Sequence, residues 1–331
     1  MNQRHLGNND ITFSQLGFGC GAVGGLIVRG ERFEARRAVE RAIELGITYF
    51  DTAASYGDGL SETHLGEILR ELDAENSVAV GTKIRISGEE IDRIEETTVA
   101  SVEASLKRLG RDQVDLIQMH TRATPERSAG EGAVDLNCIE RSIDVFEQLR
   151  EQGKVRYCGL NGLGDVPTLQ QALKRFGDRV DSIQIPYSLL NPTPGMELPS
   201  FPFQNYQNLI GLAKEKGVGV IAIRVLAAGA LSGSADRHPN AGGGNPIASS
   251  DTFEQAVDLS RRFRILIDKG IVDDLVEAAI RFVLTNDGVT TALVGISSFE
   301  QFEHAALAGK KGGLPSEALA ILTDVWSDFP A

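Results

Sequence analysis

The chain has 331 residues, 42% of them hydrophobic, and 33 lysines and arginines stand against 46 aspartates and glutamates for a formal charge of −13. That length suits one α/β barrel of about 250 residues with additions, and the apolar share is enough for a sizeable core. The negative charge is spread along the chain, which argues against nucleic acid and anionic membrane surfaces as partners, since both need a basic face. It also means that any phosphate site must be built locally. No uninterrupted apolar run suggests a membrane span, and the opening Met1 to Asp10 lacks the apolar stretch of a secretory signal. Cys20, Cys138 and Cys158 are odd in number and far apart, so no disulfide framework is expected and a reducing cytoplasm is.

Taken in order, the chain predicts an N-terminal hairpin over Gln3 to Gln15, turning at Gly7-Asn8-Asn9-Asp10. Strands are then expected at Leu16–Gly19, Thr48–Phe50, Val78–Thr82, Val114–Met119, Val155–Leu160, Ser182–Ile185, Val218–Ile223 and Thr291–Val294. Helical patterns lie between them at about Arg32–Leu45, Glu62–Glu71, Ile91–Leu109, Ile139–Gln152, Val166–Phe176 and Tyr206–Lys216, with two more near Thr252–Ile267 and Asp273–Thr285. Gly46, Gly153 and Gly217 each stand where a helix ends and a strand begins. The stretch Ser232 to Ser250, with its run of glycines, reads as a long loop and not as a domain boundary. Eight strands separated by helices demand parallel pairing with right-handed crossovers. The expected architecture is a single-domain (β/α)8 TIM barrel with an N-terminal hairpin and extra C-terminal helices. A doubly wound sheet is the rival, but Gly17-Phe18-Gly19-Cys20-Gly21 lacks the dinucleotide fingerprint spacing.

A barrel builds its active site at the carboxyl ends of its strands. Here those ends carry Asp51, Lys83, His120, Asn161 and Gln184, a series of polar side chains collinear with strand order. Singly, each has a plainer reading as a cap, a solvated side chain or a loop acceptor; as a set they point to chemistry. Tyr56 lies five residues after Asp51, near enough to turn back over the mouth. A lysine beside a phenol favours phenolate, and a carboxylate keeps the lysine charged and in place, so Asp51, Lys83 and Tyr56 form a tunable proton donor and acceptor. A neutral His120 could orient a substrate oxygen. The side-chain amides of Asn161 and Gln184 suit a carboxamide.

The segment from Gly46 to Glu62, containing Asp51-Thr-Ala-Ala-Ser-Tyr56-Gly, resembles the first aldo-keto reductase signature. Ser105 to His120 is similar to the second, and Val80-Gly-Thr-Lys83 to the lysine strand. The resemblance runs from Arg4-His-Leu-Gly7 to about Gln301. It implies a barrel that binds NADP(H) or NAD(H) without a Rossmann fold, and a catalytic tetrad on Asp51, Tyr56, Lys83 and His120. Hydride would pass between the nicotinamide and a carbonyl carbon while Tyr56 handles the proton. The cofactor contacts it implies fall on Gly19, Cys20, Gly21, Asn161, Gly162, Gln184, Ile223, Arg224, Leu226, Gly229, Gly295, Ser297 and Gln301; no metal is implied.

The sequence departs from the family pattern at three points. The strand-five Ser-Asn pair is Asn161-Gly162. Where many members place a ring-stacking Tyr, Ile223-Arg224-Val225-Leu226 stands, so that Ile223 packs on the ring or Arg224 stacks through its guanidinium, with a rim ion pair as the plain reading of Arg224. After the last strand, Gly295-Ile-Ser-Ser-Phe-Glu300-Gln301 has no Lys or Arg to grip a 2′-phosphate, so NAD(H) is expected to be usable, with Ser297 and Ser298 at a helix start as phosphate donors or simply as a cap. Gly24-Gly25-Leu26 in the first loop resembles members acting as sugar or pyridoxal dehydrogenases. The alternative to a turning-over enzyme is a cofactor-binding regulatory subunit with little turnover; a metal-dependent barrel enzyme is not favoured by the five scattered histidines.

Overall fold

The computed structural model describes residues 1–128, 132–198, 200–244 and 246–329. Eight parallel strands close on themselves: β1 (Leu16–Gly19), β2 (Tyr49–Asp51), β3 (Ala79–Ile84), β4 (Val114–Met119), β5 (Val155–Asn161), β6 (Ser182–Pro186), β7 (Gly219–Ile223) and β8 (Val289–Gly295). Each pairs with the next in sequence and β8 returns to β1, with Ala292 opposite Leu16 and Gly295 opposite Gly19. The strands are buried along nearly their whole length, as befits a parallel sheet covered by helices outside and side chains within.

Gly46, Gly153 and Gly217 take φ of 78°, 73° and 71°. These are the left-handed turns that end a helix and send the chain into β2, β5 and β7 at no steric cost to glycine. The hairpin is shorter than expected, Gln3–His5 against Thr12–Ser14. It stoppers the amino-terminal end of the barrel, where Leu6 and Phe13 join Tyr49, Leu116, Ile221 and Leu293 in a separate inner core. Arg4 fastens it by donating to the carbonyls of Leu284, Asn286 and Val289 at 2.6–2.9 Å.

Several boundaries move. Asp51, Lys83 and Asn161 lie inside their strands rather than just past them, and only His120 follows its strand directly. The expected helix Thr252–Ile267 breaks into Phe253–Ser260, a 3-10 turn Arg261–Arg264 and a short turn Ile265–Asp268. Ser232–Ser250 contains no helix or strand among its described residues beyond the last residue of a preceding 3-10 turn. Helices Phe299–Lys310 and Ser316–Ser327 complete the C-terminal additions.

Candidate active site

The strand alternation places Asp51, Lys83, Gln118 and Gln184 on the inner faces of β2, β3, β4 and β6, where only complementary partners make a buried charge tolerable. Lys83 is 1% exposed and donates to the Asp51 Oδ1, to the Thr52 carbonyl at 2.8 Å and to the Tyr56 hydroxyl at 3.4 Å. The other oxygen, Asp51 Oδ2, accepts from the Tyr49 hydroxyl at 3.0 Å, from Gln184 Nε2 at 2.7 Å and, at the limit, from Gln118 Nε2 at 3.5 Å. Burial works against the Lys83 ammonium, but Asp51 and Tyr56 outweigh it and the lysine is held above its usual range.

Tyr56 is followed by a tight turn in which Gly57, Asp58 and Gly59 have φ of 61°, 51° and 90°. Asp58 bears the cost of a left-handed non-glycine residue, a strain that the surrounding structure must hold. The sequence suggested that Lys83 would lower the Tyr56 phenol. Lys83 does pull it down, yet burial is the larger effect and the phenol ends above its ordinary value. His120 meets the Tyr56 ring edge to face at 5.6 Å, and its Nδ1 lies 3.3 Å from the Ser55 hydroxyl. Burial, then Lys83 and Arg85, push its imidazole down to about 3, so it is neutral near pH 7.

Above this floor opens a cavity of about 520 Å³, within the 300–1,000 Å³ common for ligand sites. Asp51, Tyr56 and His120 form its inner end; Gly19, Gly21, Asn161, Gln184, Ile223, Arg224, Leu226, Gly229, Gly295, Ser297 and Gln301 also line it. Two expected contacts do not. Cys20 is turned into the core outside the barrel, 1% exposed, and its thiol is pushed far up by burial. Gly162 packs on β6, where an added methyl would stand 2.4 Å from the Gln184 carbonyl oxygen. Asn161 gives Nδ2 to the His120 carbonyl and takes the Leu163 N–H, so its amide is largely engaged. With the Gln184 NH2 turned to Asp51, its Oε1 remains for a ligand.

The roof comes from the chain after β7. Arg224, Ala227, Ala228 and Gly229 take φ of 59°, 47°, 58° and 99°, three of them against the preference of a side chain. The glycine-rich loop then crosses the mouth as a strap. Gly242 N–H bonds the Val23 carbonyl at 2.9 Å, the Asn240 amide bonds the Ser297 carbonyl at 3.0 Å, and Arg29 donates to the carbonyls of Asn240 and Ala22. It carries Arg237 into the cavity, stacked 3.7 Å over Phe253 and donating to the carbonyls of Gly242 and Gly244. The segment after β8 has no cation of its own, but the fold supplies this one from about 60 residues upstream. Ser298 caps the helix Phe299–Lys310 by accepting from Gln301 N, and the Phe299 N–H is taken by Glu34.

Reading the sequence missed Tyr49, Gln118, Arg237 and Phe253. The first two were within reach, since each is two residues before a site residue on the same strand face. Nothing local marked the others. Among the described residues no group of three or more His, Cys, Asp and Glu could hold a metal, and no helix is long and apolar enough to cross a membrane.

A closed parallel barrel with a buried Lys-Asp pair beneath a phenol and a long cleft at its carboxyl mouth defines the class. Residues 15–327 match the model of the aldo/keto reductase family. The chain belongs to that family, and is an oxidoreductase for which the family implies a nicotinamide cofactor and a small-molecule substrate. It is 28% identical to the L-galactose dehydrogenase of Arabidopsis thaliana, over 92% of this chain and 87% of that one. It is 26% identical to the NADH-specific methylglyoxal reductase of Escherichia coli K12, over 92% of each. The holo form of aldo-keto reductase AKR11C1 from Bacillus halodurans superposes with a TM-score of 0.70 at 26% identity, covering 98% of this chain and 96% of that one.

Proposed function

We propose that the chain, acting as one domain, interconverts a carbonyl compound (aldehyde, ketone or sugar) and its alcohol with NAD(P)(H), and that Tyr56 is the general acid and base. One observation carries this reading. The Tyr56 hydroxyl lies 3.4 Å from an ammonium that a buried carboxylate holds charged, at the inner end of the cavity. The residues fit a dinucleotide. Ile223 offers an apolar face for a ring, Gln184 Oε1 an acceptor for a carboxamide, and Gly229 a backbone with open space above it. Gly295, Ser297 and Gln301 offer polar contacts farther along the cleft. When bound, the cofactor supplies or accepts the hydride.

The chain supplies position and proton control. Tyr56 is protonated at neutral pH, since its phenol sits above its ordinary value, and so can donate to a carbonyl oxygen as negative charge develops there. Lys83 stabilises the phenolate left behind, and Asp51 keeps Lys83 in place. Neutral His120 donates a hydrogen bond to the same oxygen. In the alcohol direction each step reverses and Tyr56 must first lose its proton.

NAD(H) is usable on this reading, because Glu34 already occupies the free N–H at the start of the Phe299–Lys310 helix and Glu300 disfavours added negative charge. Arg237 gives NADP(H) a cation as well. The three cysteines are buried and unpaired, in keeping with a reducing cytoplasm. The test is a carbonyl panel with NADH and with NADPH, run on wild type and Tyr56→Phe. The variant should fold normally, bind cofactor unchanged and lose about 100- to 10,000-fold in kcat. Equal activity in the two proteins would remove Tyr56 from its role.

A further inference from the structure

Tyr49 brings a hydroxyl to the stoppered end of the barrel. It is 0% exposed and shares the inner core with Leu6, Phe13, Leu116, Ile221 and Leu293, where phenylalanine would fill the same space. A buried hydroxyl costs stability unless it is paired, and this one donates to Asp51 Oδ2 at 3.0 Å. The strands on either side of β2 leave room for it. A methyl added to Gly81 of β3 would collide with the Tyr49 hydroxyl, and one added to Gly17 of β1 would stand 3.3 Å from its ring. From beneath, Phe13 of the hairpin stacks on that ring, with centroids 4.2 Å apart and planes 15° from parallel.

The two close donors to Asp51 Oδ2 differ in what can disturb them. Gln184 lines the cavity, so a ligand can draw its amide away. Tyr49 is sealed off from the cleft by the floor above it. Burial, then Asp51, push its phenol well above the ordinary value, with Tyr56 and Asp115 adding to the effect, so it stays a donor at any working pH. The groups that face Tyr56 are Lys83 and Arg224, which favour its phenolate, Asp51, which opposes it, and neutral His120 against its ring. A donor that cannot leave Asp51 spreads the carboxylate's charge. That weakens the opposition to the phenolate and leaves more of the Lys83 field to Tyr56.

We propose that Tyr49 is a positioning residue which, braced by Phe13, holds Asp51 and through it Lys83 in the arrangement that lets Tyr56 release its proton in alcohol oxidation. This rests on the carbonyl–alcohol reading above. The hydroxyl at the closed end of the barrel thus sets the pH range of the reaction at the open end.

The experiment follows alcohol oxidation with oxidised cofactor from about pH 6 to about pH 10 in wild type, Tyr49→Phe and Phe13→Leu. Tyr49→Phe deletes the donor and keeps the ring. Its rise of kcat with pH should move up by about one unit, so that kcat falls about tenfold at pH 7 and recovers to within about twofold on the alkaline plateau. KM for alcohol and for cofactor should change by less than about twofold, because Tyr49 does not reach the cleft. Phe13→Leu keeps the hydroxyl and loosens the stack; it should lower the melting temperature and leave the pH profile in place. Independently of turnover, Tyr56 phenolate absorbance in an alkaline titration, each protein read against itself carrying Tyr56→Phe, should appear about one pH unit later in Tyr49→Phe.

A Tyr49→Phe profile with the wild-type midpoint, whether kcat fell equally at every pH or not at all, would overturn this inference and leave the carbonyl–alcohol reading standing. An equal shift in Phe13→Leu would overturn it too, since general loosening would then suffice. Failure of Tyr49→Phe to fold would assign the hydroxyl to stability and have the same result. No turnover of any alcohol or carbonyl by wild type would overturn both the inference and the reading beneath it.

Discussion

The floor of the active site and its roof are built on opposite principles. On the floor, one carboxylate accepts from Lys83, Tyr49 and Gln184, every donor standing on a barrel strand and almost fully buried. On the roof, Arg224, Ala227, Ala228 and Gly229 have left-handed backbone, and the loop beyond is tied down by Arg29 and Asn240. The floor is over-determined: the strands fix the directions of its side chains before any ligand arrives. The roof is held by a few bonds between chain segments far apart in sequence, which suits a part that must let a large cofactor pass. On the proposed function, proton chemistry would sit on the rigid half and ligand recognition on the adjustable one.

The largest way to break this contrast is Lys83→Met. It leaves Asp51 buried without a cation, so urea unfolding should show a loss of about 3–5 kcal/mol. Steady-state assay should show kcat down about 100-fold or more, because the Tyr56 phenolate loses its counter-charge. A variant of unchanged stability would mean that the floor is not over-determined.

A pH series probes the same half more gently. Folded His120 titrates at about 3 while the unfolded chain's histidine titrates near 6.5. The unfolded state therefore binds the extra proton first, and His120's contribution to stability should fall as pH drops from about 6.5 toward 3. His120→Gln should flatten that part of the urea-midpoint profile. The raised Tyr56 phenol has its counterpart in rates: reduction should hold level until about pH 10, while oxidation of an alcohol climbs as pH rises through the neutral range. A reduction rate that fell between pH 7 and 9 would show Tyr56 already ionised there.

The smallest effect is expected on the roof. Arg29→Ala removes the hydrogen bonds that tie the strap to the first loop and should weaken cofactor binding about three- to tenfold by fluorescence titration. The melting temperature should barely change. A large drop in melting temperature with unchanged cofactor affinity would reverse the assignment of rigid and adjustable halves.

The same division decides what could be read from the sequence. The barrel was legible because glycines such as Gly46, Gly153 and Gly217 stand at helix-to-strand junctions and each strand carries an apolar run, and the convergence of Asp51, Lys83 and His120 because they recur at strand ends. Tyr49 and Gln118 follow the same alternation, so they were readable in principle from Asp51 and His120. The exact strand ends were not, because Asp51, Lys83 and Asn161 are polar residues that stay inside a strand only through hydrogen-bond partners on other segments. Arg237 over Phe253 and Asn240 on Ser297 join segments with no shared periodicity, and no local rule foretells them. The direction of the Tyr56 shift was misjudged for a related reason: a neighbouring charge can be read from residue types, but the depth of burial that outweighs it depends on the whole fold.

The hairpin at the amino-terminal end gives the barrel one doorway. Leu6 and Phe13 fill the far opening and Arg4 locks them there, so cofactor and substrate must queue at the same entrance. On the proposed function, a dinucleotide laid along the cleft would narrow the way its smaller partner takes to Tyr56.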